Sequence, residues 1–250
     1  MSNSAIAATL TQSLALTQPP IAICLLDELP AGVDLWSGAA PAGCRFWQEA
    51  ATRVFATAPA DHANCAIGQY THNLSMTPAS QQDLGDALRI FDSLSYVREQ
   101  DIALIPVLQS QPKYVLYGPL DSVPAAPDVV LLFVKADQTL ILSEASWQVE
   151  GGMPPAMGRP ACAVIPQAAN SARSALSLGC CGARAYLDVL SEDVALYALP
   201  GRGLEELTER IEALASANVT LTKFHQLRRA DIASGKSPTV MESLGALQSL

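Results

Sequence analysis

Two uninterrupted apolar runs, Ile21–Leu26 and Val129–Val134, have the length and branched-residue content of buried strands. Ahead of the first, Ile6, Leu10 and Leu14 recur at helical spacing until Pro19 and Pro20, which predicts an N-terminal helix. Helical spacing of Phe46, Ala50 and Val54 predicts a helix over residues 46–55. A second helix over 84–96 carries Leu84, Leu88, Phe91 and Leu94. Residues 114–117 read as a strand, 139–147 as a helix or a strand–helix join, and 161–165 and 194–199 as further strands. The stretch 167–176 looks helical. Over 204–217, Leu204, Leu207, Ile211 and Leu214 face inward while Glu205, Glu206 and Glu209 face out. Gly- and Pro-rich loops are expected at 30–43 and 151–160.

This alternation predicts an α/β or mixed α+β fold in one compact domain covering 1–250, with a loose tail or a terminal helix over about 230–250. A faint internal correspondence runs through it. In each half a buried strand leads through a Gly/Pro loop to one cysteine (Cys44, Cys162), then to a second beside glycine (Cys65, Cys180). That pattern suggests two pseudo-symmetric halves, each contributing two cysteines.

The composition narrows the function classes. With half the residues hydrophobic and 16% charged, the chain has the material for a substantial core and is not disordered. No apolar run approaches the ~20 residues of a membrane helix, and the N-terminus lacks the basic and apolar regions of a signal peptide. The expectation is a cytoplasmic protein without a membrane partner. A net charge of −9 with scattered Lys and Arg argues against nucleic acid. No Walker loop and no G-x-G-x-x-G is present, so nothing points to a phosphate cradle.

Six cysteines in a reducing compartment are buried hydrophobes or metal and redox groups rather than a disulfide framework. Cys24, inside an apolar strand, reads as core. Cys44 follows Gly43 and precedes Arg45, a cation able to lower a thiol pKa or pair with an anion. Cys65 lies in a polar stretch with His62 and His72, where a histidine three residues away suits a shared metal or a base to the thiol. The alternative there is a surface turn capped by Asp61. Cys162 follows Arg159 and Pro160, and Cys180-Cys181 sits between Gly179 and Gly182 in a tight turn of the kind that presents cluster ligands. There is no C-x2-C pair, so a zinc ribbon or a ferredoxin run is absent. Arg45, Arg159, Arg173 and Arg184 all fall near cysteines in sequence, which makes Arg45, His62, Arg159 and Arg184 candidates for binding a small anionic ligand.

The segments PAGCRFWQEA, ATAPADHANCAIGQYTH, KYVLYGPL, GRPACAVIP and SLGCCGAR resemble the family catalogued as domain of unknown function 169, found in bacteria and archaea. The resemblance runs from about Leu14 to His225 and implies cysteines at Cys44, Cys65, Cys162 and Cys180, with Cys181 an extra one. It carries no assigned activity. The leading expectation is that these four cysteines bind an iron–sulfur cluster, of the 4Fe-4S type, in a redox protein or an enzyme acting on a small molecule. Two other classes stay open. One is a non-catalytic accessory protein holding a metal ion, a tetrapyrrole or a small ligand; the other is a thiol enzyme with Cys65 as nucleophile and His62 as base. The partners expected are a small-molecule ligand and either further copies of the chain or a redox partner protein.

Overall fold

The computed structural model describes residues 1–157 and 160–248. Seven strands form one sheet: β1 (Ile21–Leu26), β2 (Phe55–Thr57), β3 (Tyr114–Pro119), β4 (Val129–Val134), β5 (Ala156–Met157), β6 (Ala175–Ser177) and β7 (Ala195–Pro200). Their spatial order is β2-β3-β1-β4-β7-β6-β5, antiparallel throughout except for the β5–β6 pair. The two long apolar runs therefore become the central strands, and each is apolar on both faces because each face is covered. On one face Ala22, Cys24, Val130, Leu132 and Leu199 pack against the helices α1 (Asn3–Leu14), α5 (Ala136–Glu150) and the start of α7 (Leu204–Ala233). On the other, Ile21, Ile23, Val129, Leu131 and Ala198 pack against α2 (Cys44–Ala50) and α6 (Val164–Ser171). Two further helices, α3 (Ala66–Thr71) and α4 (Pro78–Ser93), lie between β2 and β3 in the chain, and α8 (Val240–Gln248) follows α7.

The sheet has an internal twofold pattern, and it sets where the cysteines go. At its centre Ala22 faces Val130, with Ile21 opposite Leu131 and Ile23 opposite Val129. Exchanging β1 with β4 about the Ala22–Val130 pair leaves this register unchanged. The same exchange carries β3 onto β7, because Pro119 stands opposite Ile21 and Pro200 opposite Val129. It carries β2 onto β6, because Phe55 faces Tyr117 and Ala175 faces Ala198. Even the edge agrees: the parallel bridge from Leu35 to Ala56 matches the parallel pairing of Ala156 with Leu176. Under this correspondence α2, which begins at Cys44, answers to the helical turn and helix that begin at Ala161–Ala163 and continue as α6. Cys65 and Cys180 then follow the equivalent strands β2 and β6.

Several sequence expectations are corrected. The helix expected over 46–55 stops at Ala50, and Phe55 instead pairs with Tyr117 and packs its ring on Trp36 and Phe46. Residues 161–165 are helical rather than a strand. All five are buried, and a short run apolar at every position reads the same for a buried helix as for a buried strand. The helix expected over 167–176 ends at Ser171, where Ala172 turns left-handed at φ 50° before β6. The helix expected over 204–217 runs on to Ala233, about 45 Å in all, and its half beyond Ala215 buries no side chain of its own. The remainder of the expected tail contains α8.

One glycine is dictated by the central pairing. A Cβ on Gly201 would collide with the Pro127 carbonyl oxygen, and its own N–H donates to the Asp128 carbonyl at 2.7 Å. Gly201→Ala must displace backbone at the end of β7 and is expected to destabilise the protein by about 3 kcal/mol. A shift of the urea midpoint by less than a third of that would show that this corner yields easily.

Candidate functional site

Cys44, Cys65, Cys162 and Cys180 line a single cavity of about 140 Å³ on the α2/α6 side of the sheet, although 136 residues separate the first from the last. Each half supplies two. Cys44 is the first residue of α2 and Cys162 lies in the turn leading into α6, so the short helices hold both thiols against the sheet. Both are buried and belong to the same core cluster as Ile21, Val129 and Tyr117. Cys65 and Cys180 are half-buried, and Cys181, which also lines the cavity, is exposed. Cys24 sits on the opposite face of the sheet among the α1 and α5 contacts, where burial, with Asp128 adding to it, pushes its thiol up to about 12.

Local sequence explains how Cys65 reaches its place. The Asp61 carboxylate accepts from the Ala58 N–H at 2.7 Å and folds residues 59–62 into a tight helical turn, as an Asp cap does. Asn64 donates to the Ala40 carbonyl at 3.0 Å and ties this turn to the loop before Cys44. The Cys65 sulfur then lies so close over Gly68 that a Cβ there would stand 2.8 Å from it. Glycine at 68 therefore makes room for the thiol.

The electrostatics favour protons on the sulfurs. Burial raises the Cys44 thiol well above its ordinary range, and the neighbouring Cys162, Cys65 and Cys180 add to the rise. Cys162 is raised likewise by burial and by Cys65 and Cys180, partly opposed by Thr71, whose hydroxyl oxygen is 3.4 Å from its sulfur. Tyr117 is close enough to Cys162, Cys44 and Cys65 that they reinforce the burial raising its own pKa. At neutral pH Cys44 and Cys162 are thus neutral thiols.

Two histidines are buried alongside. His72 Nδ1 lies 3.0 Å from the Gly68 carbonyl, so it carries the proton, and its Nε2 is a bare acceptor without a protein partner. His62 Nε2 pairs with the Thr57 hydroxyl at 2.9 Å, its ring meets Phe46 edge-on, and its Nδ1 has no partner. Burial lowers His62 to about 3, assisted by His72, and lowers His72 to about 4, with the Gly68 hydrogen bond opposing. The hydrogen bond that joins His62 to Cys65 is a backbone one, from the Cys65 N–H to the His62 carbonyl at 2.8 Å, and no hydrogen bond joins the imidazole to the thiol among the described residues.

The arginines are not where the sequence suggested. Arg45 lies on the outer side of α2, bound to Gln48 and, at 2.9 Å, to Glu49. Arg184 turns back to donate to the carbonyls of Leu178, Ser191 and Val194, bracing the loop that carries Cys180. Arg173 reaches toward Gly152, away from the cavity. Arg159 falls outside the described residues. The cavity is walled instead by apolar side chains that sequence spacing did not connect with the cysteines: Ile67, Leu88, Phe91, Val97 and Ile105. Thr71 and Tyr117 were also missed, because nothing in the local pattern marks a threonine or a strand tyrosine as the neighbour of a distant thiol.

A family profile described as DUF169, uncharacterised ArCR, matches residues 9–210. The chain belongs to this family. No curated protein and no solved structure matches it. Among the described residues of this DUF169 member, no group of three or more His, Cys, Asp or Glu is arranged to hold a single metal ion, and no helix is long and apolar enough to cross a membrane.

The buried histidines make stability depend on pH. Both are uncharged when folded, whereas in the unfolded chain they take up protons below about pH 6.5. Their contribution is therefore complete above that value and is lost as the pH falls through the window down to about 4 for His72 and about 3 for His62. Each is expected to cost up to about 1.4 kcal/mol per pH unit there. Urea midpoints at pH 7 and pH 5 should fall accordingly, and His72→Gln should remove about half of the dependence. Equal midpoints in the wild type would mean the imidazoles reach solvent.

Proposed function

We propose that this DUF169 member is an iron–sulfur protein, holding a cluster of the 4Fe-4S type on Cys44, Cys65, Cys162 and Cys180, and that it works in electron transfer or cluster-dependent redox chemistry. The observation that carries the reading is the convergence of these four thiols on one cavity from two distant parts of the chain. The donor set suits the group: four soft sulfur ligands, no carboxylate among them, in a setting sheltered by apolar walls. A tetrahedral zinc site draws its sulfurs to about 2.3 Å from one centre, whereas a cluster spreads its ligands around a larger body. Bound there, the cluster would supply one-electron transfer. The chain's part is to hold the sulfurs apart, keep water away, and give up the thiol protons on loading.

The thiol-enzyme alternative finds less support, since the His62 ring is turned to Thr57 and is held neutral by burial. The accessory-protein alternative, a metal ion, a tetrapyrrole or a small ligand held without turnover, predicts another metal, a tetrapyrrole absorption spectrum or a colourless protein in the same preparation.

Protein purified without oxygen should be brown and contain iron and acid-labile sulfide in similar amounts. Serine at any of Cys44, Cys65, Cys162 or Cys180 should bleach it, while Cys181→Ser should leave the colour. Cys24→Ser should also leave the colour and cost about 1–2 kcal/mol of stability as a buried hydroxyl. Protein that stays colourless after anaerobic reconstitution, or that retains stoichiometric zinc in air, would sink the cluster reading.

A further inference from the structure

The inner side of α4 carries Leu84, Leu88 and Phe91 at the spacing of one helical face, yet these side chains are only half-buried and Ser80 alone is buried on this helix. Leu88 and Phe91 line the cysteine cavity, where Phe91 also meets the Tyr96 ring at 5.5 Å. Protein interiors are packed to the density of organic crystals, and an apolar face set over open space forgoes the dispersion contacts that would hold it. The chain continues past α4 with Val97 and Ile105, which complete the same wall. No charged side chain lines this cavity among the described residues. Arg45 and Arg184, expected to meet an anion here, are engaged by Glu49 and by backbone carbonyls. Across the mouth the Cys181 N–H donates to the Tyr96 hydroxyl at 3.2 Å.

We infer that the space between the sulfurs and α4 receives an uncharged, largely apolar small molecule, not the anion that the neighbouring arginines suggested. The inference rests on the proposed reading that these four cysteines hold the redox group of the site, and it concerns what reaches that group. A charged ligand entering here would be stripped of water with no counter-charge among the described residues, which is heavily unfavourable. An apolar one would cover the half-buried Leu88 and Phe91 further.

Thiol reagents sharing one reactive group and differing only in charge read this directly, with exposed Cys181 as the reference inside the same molecule. The full-length protein, freed of iron by chelation, is treated with N-ethylmaleimide, with a neutral maleimide bearing a short alkyl chain, and with a maleimide bearing a carboxylate. Labelling of each cysteine is followed by peptide mass spectrometry. Relative to Cys181, the neutral reagents should modify Cys65 and Cys180 at least about tenfold faster than the anionic one. Phe91→Arg should narrow or reverse that ratio, and its circular dichroism spectrum shows whether it folds. A wild-type ratio near one, or a preference for the carboxylate, overturns the inference whether or not the variant folds. Iron and sulfide are measured on the same protein before chelation. Failure of the cluster reading then shows as missing iron, and failure of this inference as the wrong charge preference.

Discussion

The Ala22–Val130 pair at the centre of the sheet is the constraint on which the site depends. Antiparallel pairing of β1 with β4 about this point fixes the register outward through β3 and β7 to β2 and β6. A slip of one residue would turn Ile21, Ile23, Val129 and Leu131 away from α2 and α6. The thiol of Cys44 rides on α2 and that of Cys162 on the turn leading into α6, while Cys65 and Cys180 follow β2 and β6. Neither half carries more than two of the four. The cysteine site therefore exists only in the folded, paired chain, so whatever binds it is linked to folding as well as to the thiols.

Neutrality is the second constraint. Cys44, Cys162, Tyr117, His62 and His72 are all buried close together, and in each case burial opposes the charged form. Proximity of the sulfurs to one another works in the same direction, because a first thiolate raises the cost of a second. A nucleophilic thiolate is poorly served by such surroundings, since no cation faces it among the described residues. A soft cationic centre is served well, because it exchanges protons for metal and neutralises the sulfurs it ionises.

Legibility in the sequence followed the strength of the local pattern. The central strands and α1 were readable because their apolar positions follow one period without interruption. The short outer strands β2 and β6 were not, since each has three residues and owes its existence to pairing with β3 and β7. The segment at Ala161–Ala163 was taken for a strand because complete burial erases the helical period. The four cysteines were found through family resemblance and the glycines beside them, while their meeting in space came only from the fold. The arginines misled for a simple reason: closeness in sequence says little about direction. Arg45 follows Cys44 by one residue, and on a helix that step turns the side chain roughly 100° away. It ends on the outer side of α2, beside Glu49.

What the symmetry does not explain is as informative as what it does. Between Cys65 and β3 the first half inserts α3, α4 and the turn Glu99–Leu104, whereas between Cys180 and β7 the second half has only a short turn at Gly182–Tyr186. The inserted segment supplies the apolar wall of the cavity, and its Tyr96 hydroxyl accepts from the backbone of the second half at Cys181. A symmetric frame delivers the thiols, and an asymmetric addition decides how they are reached. In the proposed role the two tasks fall to different parts of the chain. Changes within α4 would alter access and ligand choice while leaving the sulfur set intact, whereas changes at the β1–β4 seam would disperse the sulfurs themselves. Ile90 on α4 and Leu94 just past its end are exposed, so the half-buried apolar residues Leu84, Leu88 and Phe91 make up the side of this helix turned toward the protein.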